Sequence, residues 1–100
     1  MSKPSYTDYV RGALRFYSMH PSPMYFKNEV YESNWNACHN VIQAYSDRDR
    51  DILVYVYGAG DTLADNVYVM SKKYQIDQNI IWEMMRDIEC KVAIERGLWI

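Results

Sequence analysis

The apolar positions near the N-terminus recur at helical spacing. Between Thr7 and Met19 the steps are of three and four residues, through Val10, Ala13, Leu14 and Tyr17. This spacing predicts an amphipathic helix with Thr7 as its N-cap. The sequence HPSPM at residues 20–24 ends the helix, because two prolines in three residues cannot continue one. We expect a stiff connector there.

Two further helices are predicted in the middle of the chain. Steps of four, three, four and three join the apolar residues Tyr31, Trp35, Cys38, Ile42 and Tyr45. This pattern predicts a long helix between Phe26 and Tyr45 with one buried seam. Ser46 then stands as an N-cap three residues before Asp49. The run ILVYVY that comes next has the propensity of a buried strand or of a buried helix. We favour a helix in the middle of a bundle, since no second run offers a partner strand.

The last third of the sequence predicts two helices separated by a short break. Gly58 or Gly60 is expected to take a left-handed C-cap, and Asp61 or Thr62 to cap the fourth helix. The fourth helix carries Leu63, Val67, Met70 and Tyr74. After a break at Gln75 and Ile76, Asp77 is the expected N-cap of the fifth helix, which ends near Arg96 and Gly97. Its predicted inward stripe is Ile81, Met84, Ile88 and Val92.

The pattern therefore predicts an all-α fold, an orthogonal bundle of about five helices with a helix-turn-helix at its C-terminal end. We expect residues 1–100 to form a single helical domain. Residues 1–45 form an N-terminal helical hairpin for support or dimerisation, and residues 46–100 form the helix-turn-helix part.

Charge gives no sign of a strongly basic protein. The net charge is −2, and residues 46–100 hold seven basic and ten acidic residues, a net charge of −3. Nucleic-acid binding would therefore depend on a local patch. Ten tyrosines and an aromatic fraction of 15% suit either a small domain with a thin core or a domain with a partner-binding surface.

Candidate catalytic and metal-binding groups are scattered. Cys38 and Cys90 have no partner at ligand spacing apart from His39, so we expect reduced thiols and no metal site. The alternating acids Asp47, Asp49 and Asp51 lack the glycine and distal glutamate of a calcium loop and are interpreted as helix-start charges. His20 and His39 are expected at surface or boundary positions. We expect no enzyme activity and no cofactor.

No apolar run approaches the length of a membrane span, and the N-terminus has no apolar stretch of signal-peptide length. We expect a soluble, cytoplasmic protein with no membrane partner.

The stretch SKKYQIDQNIIWEMMRDI, residues 71–88, has many of the residue types that a helix-turn-helix requires. A small residue, Ser71, stands where the two helices must approach each other. Apolar side chains stand at the positions that would share the small core, namely Met70, Tyr74, Ile76, Ile81 and Met84.

Residues 46–96 resemble the C-terminal helix-turn-helix region, region four, of bacterial sigma factors and of small sigma-like regulators of mobile elements or phage. The resemblance lies in SDRDRDILVYVY followed by VMSKKYQIDQNIIWEMMRDI. An acid- and arginine-rich cap leads into an apolar helix ending in Tyr, and then come the small-residue helix, the turn and a recognition helix. Gln75 stands at the turn position that usually holds Gly, and the preceding link GAGDTLADNVY is longer than in that family.

The resemblance implies a DNA-binding transcription regulator. The outward positions of the recognition helix would be Asp77, Gln78, Asn79, Trp82, Glu83 and Arg86. Gln78 and Asn79 can each contact adenine, Glu83 can accept from cytosine, and Arg86 can reach guanine or a phosphate. Lys72 and Lys73 would hold the phosphate backbone.

The acids Asp77, Glu83 and Asp87 would repel phosphates, so we expect weak DNA binding by a monomer. A homodimer, RNA polymerase or another transcription protein would then assist. The alternative is a helical protein-interaction module of the same fold that does not bind DNA. It is favoured by the surplus of aromatic side chains, together with one methionine, at Tyr6, Tyr9, Phe16, Tyr17, Met24, Tyr25, Phe26 and Trp99.

Overall fold

A computed structural model describes residues 4–20, 22 and 26–98 of the protein. Within these ranges the fold is all-α, as predicted. Five helices follow one another: α1 (Thr7–Met19), α2 (Glu29–Ile42), α3 (Asp47–Gly58), α4 (Leu63–Tyr74) and α5 (Gln78–Glu95). None of these described helices has the length and apolar character needed to cross a membrane.

Short polar side chains begin four of the helices. The predicted N-caps Ser46, Thr62 and Asp77 are confirmed, since their side-chain oxygens accept backbone N–H groups of α3, α4 and α5. Asn28 does the same for α2 by accepting from the N–H of Tyr31 at 3.1 Å. This cap starts α2 later than predicted, at Glu29, and the helix also ends earlier, at Ile42.

The start of α1 differs from the prediction. Thr7 is wrong as an N-cap, because it is already the first helical residue and is buried. Tyr6 precedes it in a helical conformation and gives no side-chain cap. Instead, the Thr7 N–H donates to the carbonyl of Pro4 at 3.1 Å, so a backbone turn leads into the helix.

Left-handed residues close α4 and α5 but not α3. Gln75 has φ 55° and Gly97 has φ 69°, and in both turns the following N–H reaches back to the carbonyl five residues earlier. The prediction of a left-handed Gly58 or Gly60 is wrong. Gly58 is the last residue of α3, and the C-cap Ala59 is extended, with φ −69° and ψ 156°.

The run ILVYVY is helical, as favoured, and supplies a large part of the core. Ile52, Leu53, Val56 and Tyr57 are buried, while the other two side chains of the run are half-buried. Helix α3 packs against α1 and α4. Helix α1 also packs against α2 and α5, so the N-terminal hairpin and the C-terminal helices contribute to one hydrophobic core.

Two positions of the predicted seams differ from the structure. Tyr31 is 48% exposed, so the buried seam of α2 consists of Trp35, Cys38 and Ile42. In α5, Met85 is fully buried while Met84 is half-buried. Both differences arise because the apolar stripe of a helix is wide, and the neighbouring helices determine which edge of it is covered.

Candidate nucleic-acid interface

A three-residue connection, residues 75–77, joins α4 to α5. Ser71 is buried near the end of α4, and its hydroxyl donates to the Tyr68 carbonyl at 3.1 Å. That bond satisfies the small polar side chain within its own helix while α4 and α5 pack together. Met70 and Ile81 are buried on either side of the connection, and Ile76 is half-buried. Met70 and Ile81 thus belong to the hydrophobic core of the whole domain, and Tyr74, Ile76 and Met84 pack against it.

The first two turns of α5 leave a mixed polar surface. Gln78, Asn79, Glu83 and Arg86 are exposed, as expected. The side chain of Asp77 is also exposed but is engaged as the cap, accepting the Asn79 N–H at 2.7 Å. Gln78 and Asn79 form no side-chain hydrogen bond among the described residues, so their amides are available for contacts with another molecule.

Trp82 differs from the other outward positions. It is half-buried and packs against the hydrophobic core, whereas Gln78, Asn79, Glu83 and Arg86 are exposed. A ring of this size on the edge of an apolar stripe gains more from partial burial than from full exposure. Trp82 therefore contributes to the packing of α5, with only one part of its ring at the surface.

The basic residues of this surface have different environments. Lys72 is exposed, and its ammonium lies 5.2 Å from the centroid of the Tyr68 ring. Lys73 is already paired, since its Nζ lies 2.9 Å from Oδ2 of Asp51 in α3. Arg86 is exposed and has no ion pair with any residue in the described part of the chain. Arg86 and Lys72 are thus the basic groups best placed to meet a phosphate.

Asp51 accepts two hydrogen bonds from the end of α4. The Tyr74 hydroxyl and the Lys73 ammonium both donate to its Oδ2. The bond from Tyr74, followed by that from Lys73, lowers the pKa of the Asp51 carboxyl. The bond to Asp51 in turn raises the pKa of Lys73. Sequence analysis missed this contact because Asp51 and Lys73 are 22 residues apart, and no periodic pattern links them.

The carboxylate of Asp87 contacts two neighbouring side chains. The Tyr45 hydroxyl donates to its Oδ2, and Lys91 lies 2.9 Å from the same oxygen. These contacts lower the pKa of Asp87, with the bond from Tyr45 as the largest cause. Lys91 offsets this charge, whereas Glu83 and the cap residue Asp77 form no ion pair within the described residues.

A second surface lies between α1 and α2. It is an open groove of about 640 Å³ lined mainly by apolar and aromatic side chains, among them Tyr9, Phe16, Val30 and Tyr31. Tyr9 and Tyr31 are each about half exposed, and Phe16 stacks on Tyr31 with the ring centroids 5.7 Å apart. The predicted aromatic surplus is thus partly exposed. Met24, Tyr25 and Trp99 lie outside the described residues.

Other aromatic and titratable groups serve packing. Tyr17 is buried, with its hydroxyl 3.0 Å from Nδ1 of His39. His39 is half-buried and stacks on Trp35. Cys38 is buried and Cys90 half-buried, and both are free thiols. Within the described ranges, no group of three or more His, Cys, Asp or Glu side chains is arranged to hold a metal ion.

Comparison of the chain with protein-family models, with curated proteins and with solved structures finds no match.

Proposed function

We propose that the protein is a small helix-turn-helix DNA-binding protein, a transcription regulator similar to region four of sigma factors. The observation that carries the proposal is the pair α4 and α5, joined by residues 75–77 around a left-handed Gln75. Met70, Ser71 and Ile81 are buried on either side of this connection, and the amides of Gln78 and Asn79 are left exposed on the first turn of α5. This arrangement suits insertion of α5 into the major groove.

The exposed side chains of α5 have the chemistry of base recognition. Each amide of Gln78 and Asn79 offers a donor and an acceptor, the pair of groups that adenine presents in the major groove. Arg86 lies two turns further along α5 and can reach a guanine or a phosphate. Glu83 can accept from the amine of cytosine. The half-buried Trp82 holds α5 in place and contributes its exposed edge.

The phosphate contacts are few. Lys72 and Arg86 are available, while Lys73 is shared with Asp51. Since each neutralised phosphate contributes to affinity and to its salt dependence, the monomer should bind weakly at physiological salt. The proposed regulator therefore acts as a homodimer, or beside RNA polymerase or another DNA-bound transcription protein.

The test is fluorescence anisotropy with labelled random duplexes, from low to physiological salt, followed by selection of the bound sequences. Gln78→Ala or Asn79→Ala should change the preference at single base positions, at a cost of about 1–3 kcal/mol for the preferred base. Asn36→Ala, an exposed asparagine of α2, is the matched control and should change nothing. Absence of binding by the wild-type protein at low salt would contradict the proposal.

Phosphate contacts have a separate signature. Lys72→Ala should weaken binding to all sequences alike and flatten the dependence of log Kobs on log salt by about 0.9 per lost phosphate. Lys27→Ala removes the same charge from an exposed position outside α4 and α5, and should leave both quantities near their wild-type values. Sequence-dependent loss in Lys72→Ala would argue against a phosphate role.

The apolar groove between α1 and α2 favours a second candidate function, a protein-interaction module. Exposed Tyr and Val side chains around a groove are typical of association surfaces. If a second copy of the chain binds there, Val30→Glu should halve the mass in solution while the helical content stays constant. Glu29→Gln, beside it on α2, should leave the mass unchanged. A dimer that survives Val30→Glu would exclude this surface.

A further inference from the structure

The ammonium of Lys73 is held at the end of α4 by groups from two helices. Its Nζ lies 2.9 Å from Oδ2 of Asp51 and 5.2 Å from the centroid of the Tyr74 ring. The Tyr74 hydroxyl donates to the same carboxylate oxygen and so fixes its position. The charge of Lys73 is therefore directed toward α3.

Asp51 differs from the two other acids at the start of α3. Asp47 pairs with Arg50, and Asp49 pairs with Arg48, both within the helix. Of these three acids, Asp51 alone forms its ion pair with another helix. The interpretation as a helix-start charge explains Asp47 and Asp49 in the first turn, but it does not explain Asp51.

The Lys73–Asp51 ion pair is expected to contribute little to the stability of the fold. Both side chains are about half exposed, 55% for Lys73 and 47% for Asp51. Exposed ion pairs contribute little to stability, because water and salt screen the attraction and ordering two long side chains costs entropy. The main effect of the pair is therefore expected on the binding of other groups by Lys73.

We propose that Asp51 restrains Lys73 and thereby lowers the affinity of the protein for duplex DNA, an inference that rests on the proposed function. A phosphate oxygen and the Asp51 carboxylate compete for the same ammonium protons. Asp51 itself carries a charge that repels the phosphate. With Asp51 in place, the protein neutralises about one phosphate fewer on binding. Affinity then depends more strongly on the base contacts and on a partner protein than on the backbone.

The substitution Asp51→Asn tests the restraint. Asparagine has nearly the same shape and can still accept from the Tyr74 hydroxyl, but it carries no charge. Affinity for labelled random duplexes at low salt should rise roughly three- to tenfold. The slope of log Kobs against log salt should become steeper by about 0.9. The thermal melting curve should match that of the wild-type protein.

A double-mutant cycle with Lys73→Gln separates restraint from simple repulsion. If Asp51 acts through Lys73, Asp51→Asn should raise the affinity much less in the Lys73→Gln background. An equal gain in both backgrounds would overturn the restraint. Glu32→Gln, an exposed acid of α2, controls for net charge and should give no comparable gain.

The outcomes also separate this inference from the proposed function. DNA binding by the wild-type protein with no gain in Asp51→Asn overturns the restraint and leaves the proposed function standing. No binding by either protein at low salt overturns both. Tighter binding by Asp51→Asn than by the wild-type protein, with little gain in the Lys73→Gln background, supports both.

Discussion

Glu89 is a charged side chain inside the hydrophobic core. It is 3% exposed and accepts from the Tyr57 hydroxyl at 2.5 Å and from Nε of Arg11 at 2.9 Å. These contacts join α1, α3 and α5. Burial, followed by the charge of Glu89, raises the pKa of Tyr57, so this hydroxyl keeps its proton and remains a donor. A buried carboxylate is tolerated here because both of its partners are present.

We expect Glu89→Gln to lower the free energy of unfolding by about 2–3 kcal/mol, because the ion pair is lost and a buried donor is left poorly matched. Urea denaturation followed by circular dichroism measures the change. Glu95→Gln, an exposed position of the same helix, should stay within about 0.5 kcal/mol of the wild-type value. Equal losses in the two variants would show that the core contacts of Glu89 add nothing.

Cys38 should make the protein less stable in alkali. Burial raises the pKa of its thiol to about 12, above the value near 8.5 expected in the unfolded chain. As pH rises, the unfolded state loses the thiol proton first. The contribution of the buried Cys38 thiol to the free energy of unfolding is therefore complete below about pH 8.5. It is lost progressively as pH rises toward 12, by up to about 1.4 kcal/mol per pH unit.

The measurement is the free energy of unfolding at pH 7, 9 and 10.5. Cys38→Ala should be less stable than the wild-type protein at pH 7, because it leaves a cavity, but it should lose less stability between pH 9 and 10.5. Parallel pH profiles for the two proteins would exclude Cys38 as a cause of the alkaline loss.

At the scale of the helices, Gly58 shows how a residue can be needed for a reason other than its backbone freedom. A Cβ added there would lie 3.0 Å from the Cβ of Ser18 and 3.3 Å from its backbone carbonyl. Helices α1 and α3 therefore approach each other closely at Gly58, where a side chain is missing. Gly58 or Gly60 was expected to end α3 with a left-handed turn, but Gly58 instead permits this close crossing.

Two Gly→Ala substitutions in helices should have opposite effects. Gly58→Ala should destabilise the protein by about 1–3 kcal/mol, because Ser18 backbone atoms must move. Gly12→Ala in α1, where an added Cβ meets no atom within 4 Å, should stabilise it by about 0.5–1 kcal/mol through helix propensity. Thermal denaturation of both variants tests the pair. Stabilisation by Gly58→Ala would contradict the close crossing.

At the scale of the whole molecule, the packing of α5 on the other helices decides which face of α5 remains exposed. Ile81 is fully buried between helices, while Ile80 beside it is 46% exposed. Two adjacent isoleucines thus lie on different faces of α5, one buried and one exposed.

Ile81→Asp should unfold the domain. The free-energy cost of burying an unpaired charge is comparable to the whole free energy of unfolding of a protein of this size. Ile80→Asp should melt within a few degrees of the wild-type protein, since its charge meets solvent and the positive end of the α5 dipole. Far-ultraviolet circular dichroism distinguishes the two variants. A folded Ile81→Asp would contradict the close packing of α4 on α5.

The sequence by itself determined where the helices lie and how most of them begin. Spacing of three and four residues and caps such as Ser46, Thr62 and Asp77 act through hydrogen bonds within a few residues, so they are visible locally. The position of the polar surface on α5 followed from the same periodicity. The run ILVYVY could be assigned to a helix only because the chain offers no partner strand.

Tertiary structure decided which of these side chains are paired, buried or exposed. Lys73 is paired with Asp51, Trp82 is half-buried, and Gly58 faces Ser18. Each of these outcomes depends on residues from different helices, separated by tens of positions along the chain. Such pairs form only when the helices pack. Helix propensity and periodicity carry no information about the distance in space between residues of different helices. The physical reason is that local hydrogen bonds determine where the helices begin and end. Steric fit and charge interactions between the packed helices determine which side chains are exposed and unpaired.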